Sequence, residues 1–162
     1  MAIFKTAELA DKFNKYEGFR VASPIFTNYG RRKRFSGPIS TVKVNEDILV
    51  FKAMLEQARA GSIIVVDGGA SVRYALMDDS LARLAMTKHI AGVIINGAVR
   101  SVEHLANFDI AILALASCPL RATTTGKGES DIMVNFADIS WQPNHFVYGD
   151  ADGVIVSPTS LV

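Results

Sequence analysis

A chain of 162 residues, 49% hydrophobic, is long enough for one domain with a proper core and too short for two comfortable ones. A formal charge of +1, with charged residues at 20%, supplies no global field to draw in nucleic acid or an anionic membrane. High aliphatic content without a low-complexity tract argues against disorder, and Cys118, the only cysteine, excludes an internal disulfide and fits a reducing cytoplasm.

The opening stretch MAIFKTAELADKF lacks the uninterrupted apolar run of a secretory signal. The longest apolar run, 110–116, falls far short of the roughly 20 residues that cross a bilayer, so a soluble cytoplasmic protein is expected. Thr6 is placed to cap a first helix over Ala7–Phe13, with Leu9 and Phe13 one turn apart on one face. After Pro24 a loop carries the basic run Arg31-Arg32-Lys33-Arg34, and GPISTVKV (37–44) alternates as a half-buried strand does. Residues 47–58 read as a helix ending near Gly61.

SIIVVD (62–67), closed by Gly68-Gly69, has the unbroken β-branched texture of a strand buried on both faces of a parallel sheet. A helical segment follows to His89, with Leu81, Leu84 and Ala85 at i, i+3 and i+4. GVIIN then repeats the pattern of strand, glycine turn and short helix (102–107), and IAILALA supplies a third strand. These are βαβ units with right-handed crossovers. From Cys118 onward the polar loop ATTTGKGES leads into short strands, DIMVNF, HFVYGD and GVIVS, separated by turns such as Asp152-Gly153. The expectation is one α/β domain over residues 1–162, with a parallel βαβ middle and a β-rich C-terminal third.

Most motif candidates fail on spacing. DGGAS lacks the glycine interval of a dinucleotide loop, and TGKGES has Arg121 where a P-loop needs glycine and Gly128 where it needs serine or threonine. His89, His104 and His145 have no ligand-like spacing. The basic run lacks interleaved stacking aromatics and reads as a solvated loop, so direct nucleic-acid binding is not expected. Two positions survive. In MDDSLARLA (77–85), Asp78 or Asp79 can cap a helix beginning at Ser80, leaving the Ser80 and Leu81 amides to face an anion. Arg100, after the Gly97 turn, has a fork that suits a carboxylate, although an i, i+3 ion pair with Glu103 is the plainer use of it.

FSGPISTVKV, VVDGGASVRYAL, LARLA, GVIINGAVRSVEHL, DIAILALASCPL, GKGESDIMVNF and YGDADGVIVSP resemble, in order, the blocks of one family. It is the family of the regulator of ribonuclease activity A, which also holds the class II 4-hydroxy-4-methyl-2-oxoglutarate aldolases. The resemblance implies a swivelling-type β/β/α domain, assembled as a homotrimer with sites at subunit interfaces. In the aldolases a Gly-Asp pair starts the helix whose amides hold the pyruvoyl group. An Arg-Asp pair supplies the substrate-binding arginine and the carboxylate that holds Mg²⁺ or Mn²⁺. Here the first pair reads Asp78-Asp79 and the second Arg100-Ser101, so the aspartate at 79 and the arginine are kept and Ser101 stands at the metal-ligand position.

Mg²⁺ favours anionic oxygen ligands, and the enolate of an aldol cleavage or decarboxylation needs a Lewis acid. A neutral serine hydroxyl is a poor substitute, which points to lost or weak catalysis and to no cofactor. Regulators of the family also tend to lack that aspartate, and they bind ribonuclease E and DEAD-box RNA helicases. A surface that captures Arg-rich segments should be acidic, which this chain is not. The leading expectation is a non-catalytic regulator of ribonuclease E-type RNA decay. The runner-up is a Mg²⁺- or Mn²⁺-dependent aldolase or oxaloacetate decarboxylase using Arg100 and Asp79. The third is a trimer that binds a small carboxylate at Asp78, Asp79, Ser80, Leu81 and Arg100.

Overall fold

The computed structural model describes residues 3–162. The chain begins with helix α1 (Thr6–Phe13) and strands β1 (Arg20–Val21), β2 (Thr27–Asn28) and β3 (Phe35–Val44). Helix α2 (Leu49–Gln57), strands β4 (Ile63–Asp67) and β5 (Ala75–Met77) and helix α3 (Asp79–Thr87) follow. Next come strands β6 (Gly92–Asn96) and β7 (Ala98–Val99), helix α4 (Val102–Leu105) and strands β8 (Ala111–Ala114) and β9 (Ala116–Ser117). The remainder is β-rich: β10 (Gly128–Ser130), β11 (Val134–Phe136), β12 (Ile139–Trp141), β13 (Phe146–Asp150) and β14 (Gly153–Ser157). The expected mixed α/β class, with a parallel βαβ middle and a β-rich C-terminal third, is what the structure has.

The ten-residue β3 joins two kinds of sheet. Its first half pairs antiparallel with β13, from Phe35↔Gly149 to Pro38↔Phe146. Its second half pairs parallel with β4, from Ile39↔Ile63 to Lys43↔Asp67, and β6 and β8 continue that parallel run. The main sheet runs β1-β14-β13-β3-β4-β6-β8-β2, with β10 alongside β3. It curls so that its two edges approach.

Strand alternation divides the apolar runs between two cores. Ile64, Val66, Val93, Ile95 and Ile112 pack beneath α2 and α3 with Phe51, Leu55, Leu81 and Ala85. Ile63, Val65, Ile94, Ala111 and Leu113 turn to the other face, where Phe136, Ile139 and Trp141 of the β11–β12 hairpin cover them. Both faces are dry, hence the unbroken β-branched texture.

Several boundaries differ from the sequence reading, each for a local reason. Thr6 does not cap α1; it lies in the first turn, and Lys5 holds the cap position. The Thr6 N–H and hydroxyl instead donate to Asp150, at 2.8 and 2.6 Å, so a distant carboxylate satisfies the helix start. The helix predicted up to His89 occupies only Asp79–Thr87, because Ala75–Met77 is a strand. IAILALA likewise breaks into β8 and β9 around Leu115.

These pieces belong to a second, three-stranded parallel sheet, β5-β7-β9, which the sequence reading did not anticipate. Each of its strands follows a strand of the main sheet after a turn. Gly68 permits the close docking: a Cβ there would fall 2.6 Å from Leu76 Cδ1 and 2.9 Å from the Asn96 carbonyl oxygen. The short sheet carries the ends of the chain segments that build the candidate site.

Candidate functional site

Three segments meet at one corner: the start of α3, the β7–α4 junction and residues 119–121. Asp78 is the N-cap of α3, with extended backbone, and its Oδ1 accepts a hydrogen bond from the Leu81 N–H at 3.0 Å. This corrects the expectation that the Leu81 amide is free for an anion. The cap consumes it, and Ser80 keeps the N–H with no partner among the described residues.

Arg100 is placed by its backbone, whose N–H donates to the Met77 carbonyl at 2.9 Å. Its guanidinium reaches two groups: Nη2 lies 3.7 Å from Asp78 Oδ2, and Nη1 donates to the Pro119 carbonyl at 3.3 Å. The expected partner Glu103 is not engaged. Ser101 turns the chain through the left-handed region (φ 59°, ψ 38°), so Arg100 and Glu103 do not share a helical face. Ser101 makes no side-chain cap of α4.

Asp79 turns to a different partner, His104 Nδ1, at 3.3 Å. That hydrogen bond holds the Asp79 carboxyl below its ordinary range, outweighing the opposing effect of partial burial. The two adjacent aspartates therefore take different partners, Asp78 the Leu81 N–H and Arg100, Asp79 the His104 ring. A cleft lined in part by Leu76, Met77, Asp78, Arg100 and Arg121 is too tight to admit even a water molecule, against the roughly 300–1,000 Å³ of small-molecule pockets.

The donor set does not fit Mg²⁺ or Mn²⁺ at this corner. Ser101 offers a neutral oxygen, Asp78 is tied to Leu81 and Arg100, and Asp79 to His104. Among the described residues, no group of three or more His, Cys, Asp or Glu side chains is placed to hold a metal ion.

The structure brings Asp78, Asp79, Ser80, Leu81, Arg100 and Ser101 to one corner. It adds Arg121, His104 and the Pro119 carbonyl. In the sequence Arg121 only spoils a P-loop match; its place beside Arg100 depends on the bridge of Arg121 to Ala75, a long-range pairing. The basic run is dispersed. Arg32 binds both oxygens of Asp109 (3.3 and 3.1 Å), Arg34 lies 5.9 Å over the Phe4 ring, and Lys33 lines a separate cavity.

The pattern of the RraA-like family (Aldolase/RraA) matches residues 6–156. A Bacillus cereus protein named "Putative 4-hydroxy-4-methyl-2-oxoglutarate aldolase" is 41% identical over 159 residues, 98% of this chain and 99% of that one. The crystal structure of a Geobacillus kaustophilus protein described as an S-adenosylmethionine: 2-dimethylmenaquinone methyltransferase superposes with a TM-score of 0.94 at 39% identity, covering 98% and 97% of the two chains. The RNA-processing inhibitor RraA of Thermus thermophilis superposes with a TM-score of 0.93 at 36% identity, covering 99% and 98%. Three functional names on one backbone leave activity to be argued from the site. By the match along its length and the identity of its relatives, the chain belongs to the RraA-like family.

Proposed function

We propose that this chain is a regulator-type member of the family, a cytoplasmic homotrimer that damps ribonuclease E-type RNA decay by protein contact and performs no chemistry. The observation that carries this reading is the occupation of Arg100. Its fork lies between the Asp78 carboxylate and the Pro119 carbonyl, beside a serine at the metal-ligand position. An arginine already neighbouring a carboxylate of its own chain has less positive potential to offer an incoming keto acid. The likeness to the RNA-processing inhibitor of Thermus thermophilis supports the same direction. Ribonuclease E and its DEAD-box RNA helicases are the proposed partners.

The second reading, a divalent-metal-dependent aldolase or oxaloacetate decarboxylase, is favoured by the retention of Arg100 and Asp79 and by the Bacillus cereus relative's name. It requires the ion to be held by groups other than Ser101. The two readings separate in one assay. Purified protein with Mg²⁺ or Mn²⁺ is given 4-hydroxy-4-methyl-2-oxoglutarate or oxaloacetate, and pyruvate release is followed. No release above buffer is expected; turnover that disappears in Arg100→Ala overturns the regulator reading. Co-purification with ribonuclease E at low salt is the matching positive test, and its absence removes that partner.

A further inference from the structure

The curled sheet does not close. Residues 22–26 alone separate its two edge strands, β1 and β2, so the ends of the sheet face one another across a short loop. The Ala22 N–H reaches the Val154 carbonyl (3.0 Å) on one side, and the Tyr29 N–H reaches the Ile112 carbonyl (2.8 Å) on the other. Between them the seam opens into a cavity of about 530 Å³. Its size falls within the range of small-ligand sites, roughly 300–1,000 Å³. It shares no lining residue with the Arg100 corner.

The walls are apolar, built by Pro24, Phe26, Phe35, Leu113 and Val154. Most polar groups at the seam are already committed. Asn28 Oδ1 accepts from the Gly30 and Ile112 N–H groups, and Asp150 accepts from Thr6 and from the Asp152 N–H. Ser23 donates to Asp138. Two charges are left over. Lys33 and Asp152 are both lining residues of the cavity and both are exposed, and neither charged group has a side-chain partner among the described residues.

We propose that this seam binds a small zwitterion with a bulky apolar group, an α-amino acid of the leucine or phenylalanine kind. The ligand's ammonium meets Asp152, its carboxylate meets Lys33, and its side chain covers the apolar walls. One unpaired charge of each sign at the mouth of an apolar cavity matches a molecule with the same three parts. A simple anion or cation satisfies only one of the two.

The test is titration of the full-length protein with L-phenylalanine and L-leucine, read by amide NMR shifts. Saturable shifts are expected at Phe35, Leu113, Ala151 and Val154, with little change at Asp79 and Arg100. Phenylethylamine, lacking the carboxylate, and 3-phenylpropionate, lacking the ammonium, should each bind more weakly. Exposed ion pairs contribute up to about 1 kcal/mol, so Lys33→Gln and Asp152→Asn should each raise Kd roughly two- to fivefold. Both are surface changes that leave the core intact, and the analogue series needs no variant at all. An absence of saturable shifts with either amino acid overturns the proposal. So does equal binding of 3-phenylpropionate. Broadening of the same amides that grows with protein concentration and ignores the amino acids would assign the seam to a second copy of the chain, which also overturns it.

Discussion

Arg100 has two hydrogen-bonding arms, and in this chain one faces Asp78 while the other meets the Pro119 carbonyl. Ser101 beside it has a hydroxyl but no charge. Restoring the corner therefore takes two changes. Ser101→Asp alone supplies an anionic oxygen next to an arginine still shared with Asp78, and is expected to raise Mn²⁺ affinity with little turnover of oxaloacetate. Combined with Asp78→Gly, which frees the fork, it should produce metal-dependent pyruvate release. The second change is structurally mild, because glycine in place of an acidic N-cap costs only a few tenths of a kcal/mol. Full activity from Ser101→Asp alone would show that Asp78 does not restrain Arg100. An inert double variant that binds Mn²⁺ would place the missing part elsewhere. The sequence already contained this corner, since Asp78, Asp79, Arg100 and Ser101 sit in recognisable blocks. It did not contain the pairing. Whether Arg100 meets Glu103 or Asp78 depends on the left-handed turn at Ser101, and spacing along a helix does not encode that turn.

Helix α1 is held to the body by one face and one carboxylate. Leu9 and Phe13 pack with Phe4, Phe19, Tyr148 and Ile155, while Asp150 receives the N–H and hydroxyl of Thr6. Hydrogen bonds to a charged group contribute about 1.5–3 kcal/mol, and because Asp150 is partly exposed, water takes up part of what Thr6 loses. Asp150→Ala is expected to lower stability by roughly 2 kcal/mol and to speed amide exchange across Leu9–Phe13 before the parallel strands respond. Uniform acceleration over α1 and β4 alike would mean that the helix does not open as its own unit. At this scale the strands were the most legible features. IIVVD and GVIIN read directly as buried parallel strands, because both of their faces are dry. The β5-β7-β9 sheet was hidden because two or three residues are too short to carry a period, and its partners lie far apart in the chain.

Two cores share one curled sheet, and the chain also depends on carboxylates that must stay ionised, Asp47 buried and Asp79 and Asp150 partly exposed. Asp47, 1% exposed, stands just past β3 and ties the 123–126 loop to it. Burial works against its charge. The Thr125 hydroxyl and the N–H groups of Leu49, Thr125 and Gly126 outweigh burial and hold its pKa down to about 2. Asp150 and Asp79 are also shifted down, Asp150 by its Thr6 bonds against burial and Asp79 by His104. A carboxyl depressed in the folded state adds stability above its unfolded pKa, and that stability is lost as pH falls through the folded value. For Asp47 the window runs from its ordinary 3.8 down to about 2, worth on the order of 2 kcal/mol. Denaturant unfolding of the wild type should therefore weaken steeply between about pH 4 and pH 2. Asp47→Asn should be less stable near neutrality, have a shallower acid limb, and converge with the wild type near the lower end of that window. A gap that stays constant across the whole range would mean that Asp47 contributes through shape and hydrogen-bond count. Convergence would show that the charge of one aspartate fastens the loop after Arg121 to the parallel sheet.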